Sequence, residues 1–214
     1  VQCALDGGYY GTGQRCTASS RIIVMERIHD RFVSAVVDKL AGLTIDHALN
    51  AGTDIGPVVD QRQLASNLKY IDIARAEGGT VAFGGEQLRR ETQGFYQMTA
   101  LITETTPTMR INREEVFGPV ASVIRARDYD EALHLANDTE FGLSSGICTT
   151  SLKFATHFKQ HTQAGMVMVN LPTAGVDYHA PFGGRKGSSY GSREQGSYAR
   201  EFYTTVKTAY TAAG

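Results

Sequence analysis

Residues 120–170, "VASVIRARDYDEALHLANDTEFGLSSGICTTSLKFATHFKQHTQAGMVMVN", switch between two hydrophobic periods. "VASVI" is a short apolar run of strand length. Asp128, followed three residues on by Glu131, makes a capping pair for a helix carrying Leu133, Leu135 and Ala136. "SSGIC" then reads as a strand. Ser151 reads as the cap of a second helix with Leu152, Ala155 and Phe158 on one face, ended by Gly165, and "MVMVN" as the next strand. Strands joined by single helices need crossover connections, and crossovers leave neighbouring strands parallel. The stretch predicts an α/β fold, a largely parallel sheet with helices on both faces.

Upstream the same alternation holds. "RIIVM" (residues 21–25) reads as a buried strand, and Phe32, Val33, Val36, Val37 and Leu40 follow at the spacing of a helix face. After the turn-rich "NAGTDIGP", Leu64, Leu68 and Ile71 mark a helix that Gly78 and Gly79 stop, and "TVAFG" is the strand beyond it. Downstream the rhythm breaks. Residues 171–196, "LPTAGVDYHAPFGGRKGSSYGSREQG", are too long and too rich in Gly, Pro and Ser for a passive connection, so they are expected to line a site. The tail "REFYTTVKTAYT" alternates β-branched and aromatic residues with no local partner, so Phe202 to Tyr210 is expected to pair as a strand with another subunit.

Bulk composition excludes several classes. A chain of 214 residues with 42% hydrophobic and 20% charged residues supports one sizeable core. A formal charge of −1 gives no basic surplus for nucleic acid or an anionic membrane, and no apolar run reaches membrane-spanning length. Partners are expected to be small molecules or other protein chains. Cys3, Cys16 and Cys148 have no metal spacing, and an odd count suits reduced thiols in a cytoplasmic protein; no bridge and no metal site are expected. "VQCALDGGYY" carries no initiator methionine and no signal pattern, and reads as starting inside a longer protein.

The chemistry centres on "GTGQRCTASSR", residues 11–21. Cations and the N–H groups of a glycine-rich turn favour a thiolate, and Arg15 adjoins Cys16. Cys16 is thus either a nucleophile or a small buried residue, and composition leaves both open. Cys3 and Cys148 sit in apolar surroundings and read as packing residues. "GTGQRC" misses the dinucleotide fingerprint G-x-G-x-x-G at its third glycine, and "PFGGRKGS" misses the P-loop spacing. His157 and His161 are four apart on a helix without the zinc-protease glutamate, and read as a solvated face. Glu114 and Glu115 form a candidate acid/base pair that decides nothing alone.

Taken in order, "GQRCTASSR", "EEVFGPVASV", "ANDTEFGLSSGI" and "PFGGRKGSSYGSREQG" resemble the catalytic half of the NAD(P)-dependent aldehyde dehydrogenase superfamily over essentially the whole chain. Within it, "GQRCTASSR" with the residue 170–196 loop is most similar to the α-ketoglutaric semialdehyde (2,5-dioxopentanoate) dehydrogenases. The resemblance implies oxidation of an aldehyde to a carboxylate with NAD or NADP as cofactor. It makes Cys16 the nucleophile, Glu115 the carboxylate on the nicotinamide ribose, Phe117 the ring beside the nicotinamide, and Gln63 a further ribose contact. Phe182 becomes a wall of the aldehyde tunnel and Glu194 a catalytic relay near its mouth. Arg15, by its position beside Cys16, is a candidate for a substrate carboxylate.

The resemblance also implies a catalytic domain over 1–196, an oligomerisation tail over 197–214 and a homodimer or homotetramer. The dinucleotide-binding domain, the general-base glutamate and the oxyanion asparagine would lie outside this chain. After Lys186, Gly187-Ser188-Ser189-Tyr190 departs from the family's usual Ser-Gly pair. Three other readings stand beside the main one. One is a dehydrogenase for a different semialdehyde or a neutral aldehyde. Another is a cysteine acyltransferase or esterase, to which "EEVFGPV" would be superfluous. The last is an inactive assembly module.

Overall fold

A computed structural model describes residues 1–214. The chain opens with α1 (Gln2–Gly8), passes a short turn and enters β1 (Arg21–Met25) and α2 (His29–Ala41). A loop leads to α3 (Gln61–Ala76), β2 (Thr80–Phe83), the small hairpin β3 (Gln87–Leu88) and β4 (Tyr96–Gln97), and β5 (Ala100–Thr105). Then come α4 (Arg110–Arg113), β6 (Val120–Ala126), α5 (Tyr129–Asn137), β7 (Ser144–Ile147), α6 (Leu152–His161), β8 (Met166–Val169) and α7 (Ala199–Tyr203).

The main sheet runs β1-β6-β5-β2, with β1, β6 and β5 parallel and β2 antiparallel at one edge. β7 and β8 pair in parallel as a separate two-stranded sheet, so the expected parallel sheet is divided in two. Alternation across the strands separates two cores. Leu101, Ala121 and Val123 face Val36 and Leu40 of α2 and Tyr9, while Ala100, Ile102 and Val120 face Ile71 and Ala74 of α3. Leu135 of α5 packs on Ile124 and Ala126, on the α3 side. Helices thus cover both faces. Leu40, Leu64, Leu101 and Ile102 are fully buried, and each such side chain contributes about 1.5–3 kcal/mol.

Two caps form as the sequence implies, Asp128 accepting the Glu131 N–H at 2.9 Å and Ser151 the Phe154 N–H at 3.4 Å; α3 has a further cap that the sequence reading missed, Asp60 accepting the Gln63 N–H at 2.8 Å. Three expectations need correction. Leu152 is 85% exposed, because residues 152, 155 and 158 drift round the helix and leave Leu152 about 120° from Phe158. Cys148 is exposed and Cys3 half-buried, so neither is a core residue. Phe202 and Tyr203 close a helical turn, with Thr204 Oγ1 donating to Arg200 O, while 204–214 has no secondary structure and no strand partner within the chain.

Candidate active site

The segment carrying Cys16 leaves α1 through three left-handed residues, Gly11, Thr12 and Gly13, with φ of 66°, 62° and 63°. Tyr9, fully buried, anchors the start by donating its hydroxyl to Ala100 O at 3.0 Å. Burial drives its phenol pKa upward, which keeps it a neutral donor. Gly13 is where two loops meet: a Cβ there would lie 2.1 Å from Gly118 O. Gly118 is equally constrained, because its own Cβ would lie 2.3 Å from Asn67 Nδ2. Gly13 therefore serves loop-to-loop contact, while Gly11 leaves room for the Arg15 side chain, so the two glycines mimic a dinucleotide-binding motif without completing one. Thr12 Oγ1 donates to Gly56 O at 3.3 Å, and Gln14 Oε1 accepts the Val59 N–H at 3.1 Å, so a third loop, 54–59, joins the cluster.

Cys16 is exposed and lines a cavity of about 480 Å³ with Gln14, Arg15, Thr17, Phe117, Gly175, Val176 and Phe182. The Cys16 N–H donates to no group in the chain, so it is free to meet an oxygen bonded near the sulfur. Arg15 is exposed and in no ion pair; its side chain folds back over Gly11, where a Cβ would lie 2.9 Å from Arg15 Nε. A second hollow of about 690 Å³ shares Gln14 and Phe117 with the first and continues along Thr12, Asp54, Gly56 and Val59. Gln14 and Phe117 thus form the wall between the two spaces. Gln14 escaped the sequence reading; its place two residues before the cysteine was the available signal.

The two adjacent glutamates separate cleanly. Glu114 is held by Arg110 at 2.7 and 3.0 Å and by the Tyr70 hydroxyl at 2.6 Å, which bring its carboxyl down to about 2, Arg110 contributing most. Glu115 is exposed with no partner in the chain, leaving its carboxylate available to donors from outside. Phe117 follows at φ 58°, a conformation that costs a bulky residue about 1–3 kcal/mol and persists because Gly118 and Gly13 fix the turn. Gln63 supports the same turn: its amide donates to Val116 O at 2.9 Å and to Asn67 Oδ1 at 2.7 Å. Both amide hydrogens face inward, so only its carbonyl is left for a ligand. Asn67 passes the chain on to Gln97, fully buried, at 2.9 Å.

Phe182 reaches the Cys16 cavity from the long loop, paired through its backbone with Glu194: Phe182 N donates to Glu194 O at 2.6 Å and Glu194 N to Phe182 O at 2.8 Å. Glu194 is half-buried and does not line the cavity, so it stands one backbone pairing behind Phe182. Lys186 of "PFGGRKGS" donates to Asn137 O and Thr139 O at the end of α5. His157 and His161 stack with ring centroids 3.9 Å apart, and His157 bonds the Tyr129 hydroxyl at 2.9 Å. No group of three or more His, Cys, Asp or Glu is placed to hold a metal ion.

The sequence profile of the aldehyde dehydrogenase family matches residues 1–209. The chain belongs to the aldehyde dehydrogenase family. It is 46% identical over 211 residues to an alpha-ketoglutarate semialdehyde dehydrogenase of Haloferax volcanii, covering 96% of this chain and 43% of that protein. It is 38% identical over 212 residues to the alpha-ketoglutaric semialdehyde dehydrogenase of Bacillus subtilis, covering 98% and 43%. Among solved structures, the NAD+ complex of betaine aldehyde dehydrogenase from Staphylococcus aureus superposes with a TM-score of 0.91 at 35% identity, covering 94% of this chain and 40% of that one. This aldehyde dehydrogenase chain therefore spans less than half the length of the relatives it matches.

Proposed function

We propose that residues 1–196 are the catalytic domain of an enzyme that oxidises an aldehyde to a carboxylate, with 2,5-dioxopentanoate as substrate and 2-oxoglutarate as product. The observation that carries this is the exposed Cys16 in a cavity walled by Phe117 and Phe182, beside an unpaired Arg15. The Cys16 sulfur attacks the aldehyde carbon, a C–S bond forms, and the carbonyl π electrons move to oxygen. The free N–H of Cys16 donates to that oxygen; one such donor is commonly worth about 10²–10³ in rate. Loss of hydride from this carbon leaves a thioester on Cys16, and water then releases the carboxylic acid and restores the thiol. The glutamate that activates this water would lie outside the chain.

A nicotinamide cofactor, NAD or NADP, fits the residues present. Glu115 is an unpartnered carboxylate suited to two ribose hydroxyls, and Phe117 is a half-exposed ring on the wall shared with the Cys16 cavity. When bound, the cofactor accepts the hydride. Gln63 acts through the Val116 carbonyl, steadying the turn that presents both residues. Glu194 positions Phe182 through their backbone pair, and residues 197–214 pair with a second copy of the chain in a homo-oligomer.

Arg15 selects a carboxylate at the far end of the aldehyde. Charged hydrogen bonds contribute about 1.5–3 kcal/mol, and the exposure of Arg15 puts this one at the lower end, about tenfold in kcat/KM. The test compares the complete enzyme on 2,5-dioxopentanoate, succinic semialdehyde and pentanal. The acidic aldehydes should win by about tenfold, and Arg15→Met should remove that advantage. Equal efficiency on all three, or a preference for pentanal, would refute the acidic substrate.

A further inference from the structure

Three cations, one from each segment that walls the Cys16 cavity, converge on the C-terminal end of α5. Arg21 stands five residues after Cys16, Arg113 four before Phe117, and Lys186 four after Phe182. The last carbonyls of a helix lack partners within it and carry the negative end of its dipole, so cations gather there. Arg21 Nη2 donates to Leu135 O at 2.8 Å, Lys186 Nζ to Asn137 O at 2.5 Å and Thr139 O at 3.0 Å, and Arg113 Nη1 to Asp138 O at 2.9 Å. The Asp138 carboxylate also accepts both arms of the Arg113 fork, at 3.1 Å from Nη1 and 2.5 Å from Nη2. This helix end is itself held: the Asn137 amide donates to His161 O at 3.0 Å and accepts the Gln163 N–H at 2.8 Å, which ties it to the end of α6. Neither Arg113 nor Asp138 lines the cavity.

We propose that Arg113 and Asp138 are positioning residues for hydride transfer, fixing the Glu115–Phe117 turn to the helix end that also holds the Cys16 and Phe182 segments. The inference rests on the aldehyde oxidation proposed above and adds to it a pair that touches neither substrate nor cofactor. Arg113 is the last residue of α4, so its backbone leads directly into Glu114 and Glu115. A two-armed bond to a carboxylate fixes the orientation of a guanidinium as well as its distance. The other end of the turn is held separately, where Gly118 meets Gly13. Loss of the fork therefore frees the Glu115 end alone, tilting the turn while the Cys16 loop stays in place. Asp138 also serves the neighbouring cation: burial and Arg113 pull the Arg21 guanidinium below its ordinary range, and Asp138 opposes them.

The test follows reduced nicotinamide by stopped flow in the complete enzyme, using whichever of the three aldehydes above the wild type oxidises fastest. Arg113→Met should slow the single-turnover hydride step by about tenfold to a hundredfold, with Cys16 alkylation by iodoacetamide unchanged. Arg113→Lys keeps the charge but loses the fork, and should recover only part of that rate; it carries the same test if Arg113→Met does not fold. The double variant with Asp138→Asn should be no slower than Arg113→Met alone, because both changes remove one interaction. Arg127→Met breaks an exposed 2.9 Å pair with Glu131 at the opposite end of α5 and should leave the rate at its wild-type value. A role in folding alone would lower the amplitude of the hydride step and leave its rate constant untouched; that result, or equal slowing in Arg113→Met and Arg127→Met, would overturn the inference. Complete wild-type enzyme that oxidises none of the aldehydes would overturn the proposed function and this inference with it, whereas wild-type rates in the Arg113 variants would overturn this inference alone.

Discussion

Gly13→Ala separates what a glycine does by conformation from what it does by contact. A left-handed backbone costs an L-residue about 1–2 kcal/mol, and Gly13 has φ 63°. Gly52 has φ 84° and nothing within 4 Å of the point a Cβ would occupy, so Gly52→Ala carries the conformational cost alone. At Gly13 the new carbon would lie 2.1 Å from Gly118 O, well inside contact distance, so the cysteine loop and the Phe117 turn must part by about 1 Å. Overpacking of this kind adds about 1–3 kcal/mol, so Gly13→Ala should cost about 2–5 kcal/mol against about 1–2 for Gly52→Ala. The same displacement lies between the Cys16 loop and the Phe117 turn, the two sides of the proposed reaction, where about 1 Å can cost a hundredfold in rate. Urea unfolding of both variants and the rate of Cys16 alkylation by iodoacetamide provide the assay. A Gly13→Ala protein no less stable than Gly52→Ala, with unchanged turnover, would refute the loop-contact argument.

Glu115→Gln should slow hydride transfer while leaving Cys16 alkylation intact; the opposite pattern in stopped-flow and labelling would move Glu115 to the base. Glu114 is held down by Arg110 and Tyr70, so its contribution to stability is complete above the usual carboxylate range and is lost as pH falls toward about 2. An NMR titration of Glu114 with an ordinary carboxylate midpoint would contradict that pairing. Deleting 204–214 from the complete protein should shift its mass in light scattering from dimer or tetramer toward monomer, and an unchanged mass would exclude the tail as an interface.

Periodicity carried most of the fold because the strands and helices alternate in amphipathic units whose caps sit at fixed offsets. β5 escaped it: "ALITET" ends in Thr-Glu-Thr before Pro107 and resembles a turn, although it occupies the centre of the main sheet. Its burial comes from α2 on one face and α3 on the other, a tertiary fact without a local signature. At the site, the sequence placed Cys16, Arg15, Phe117 and Phe182 as candidates, and the structure gathers these four on one cavity. Composition and spacing alone left Glu114 and Glu115 equivalent, and only the family resemblance singled out Glu115, since the physical difference lies in Arg110 and Tyr70 folding onto Glu114.

The central claim is that carbon–sulfur bond formation occurs at Cys16, and rapid quenching of the complete enzyme with aldehyde and cofactor, followed by mass mapping, tests it most directly. An acyl adduct on the Cys16 peptide, with turnover abolished in a stably folded Cys16→Ala variant, is the expected result. Turnover within about tenfold of wild type in that variant, or an adduct on any other residue, would contradict it.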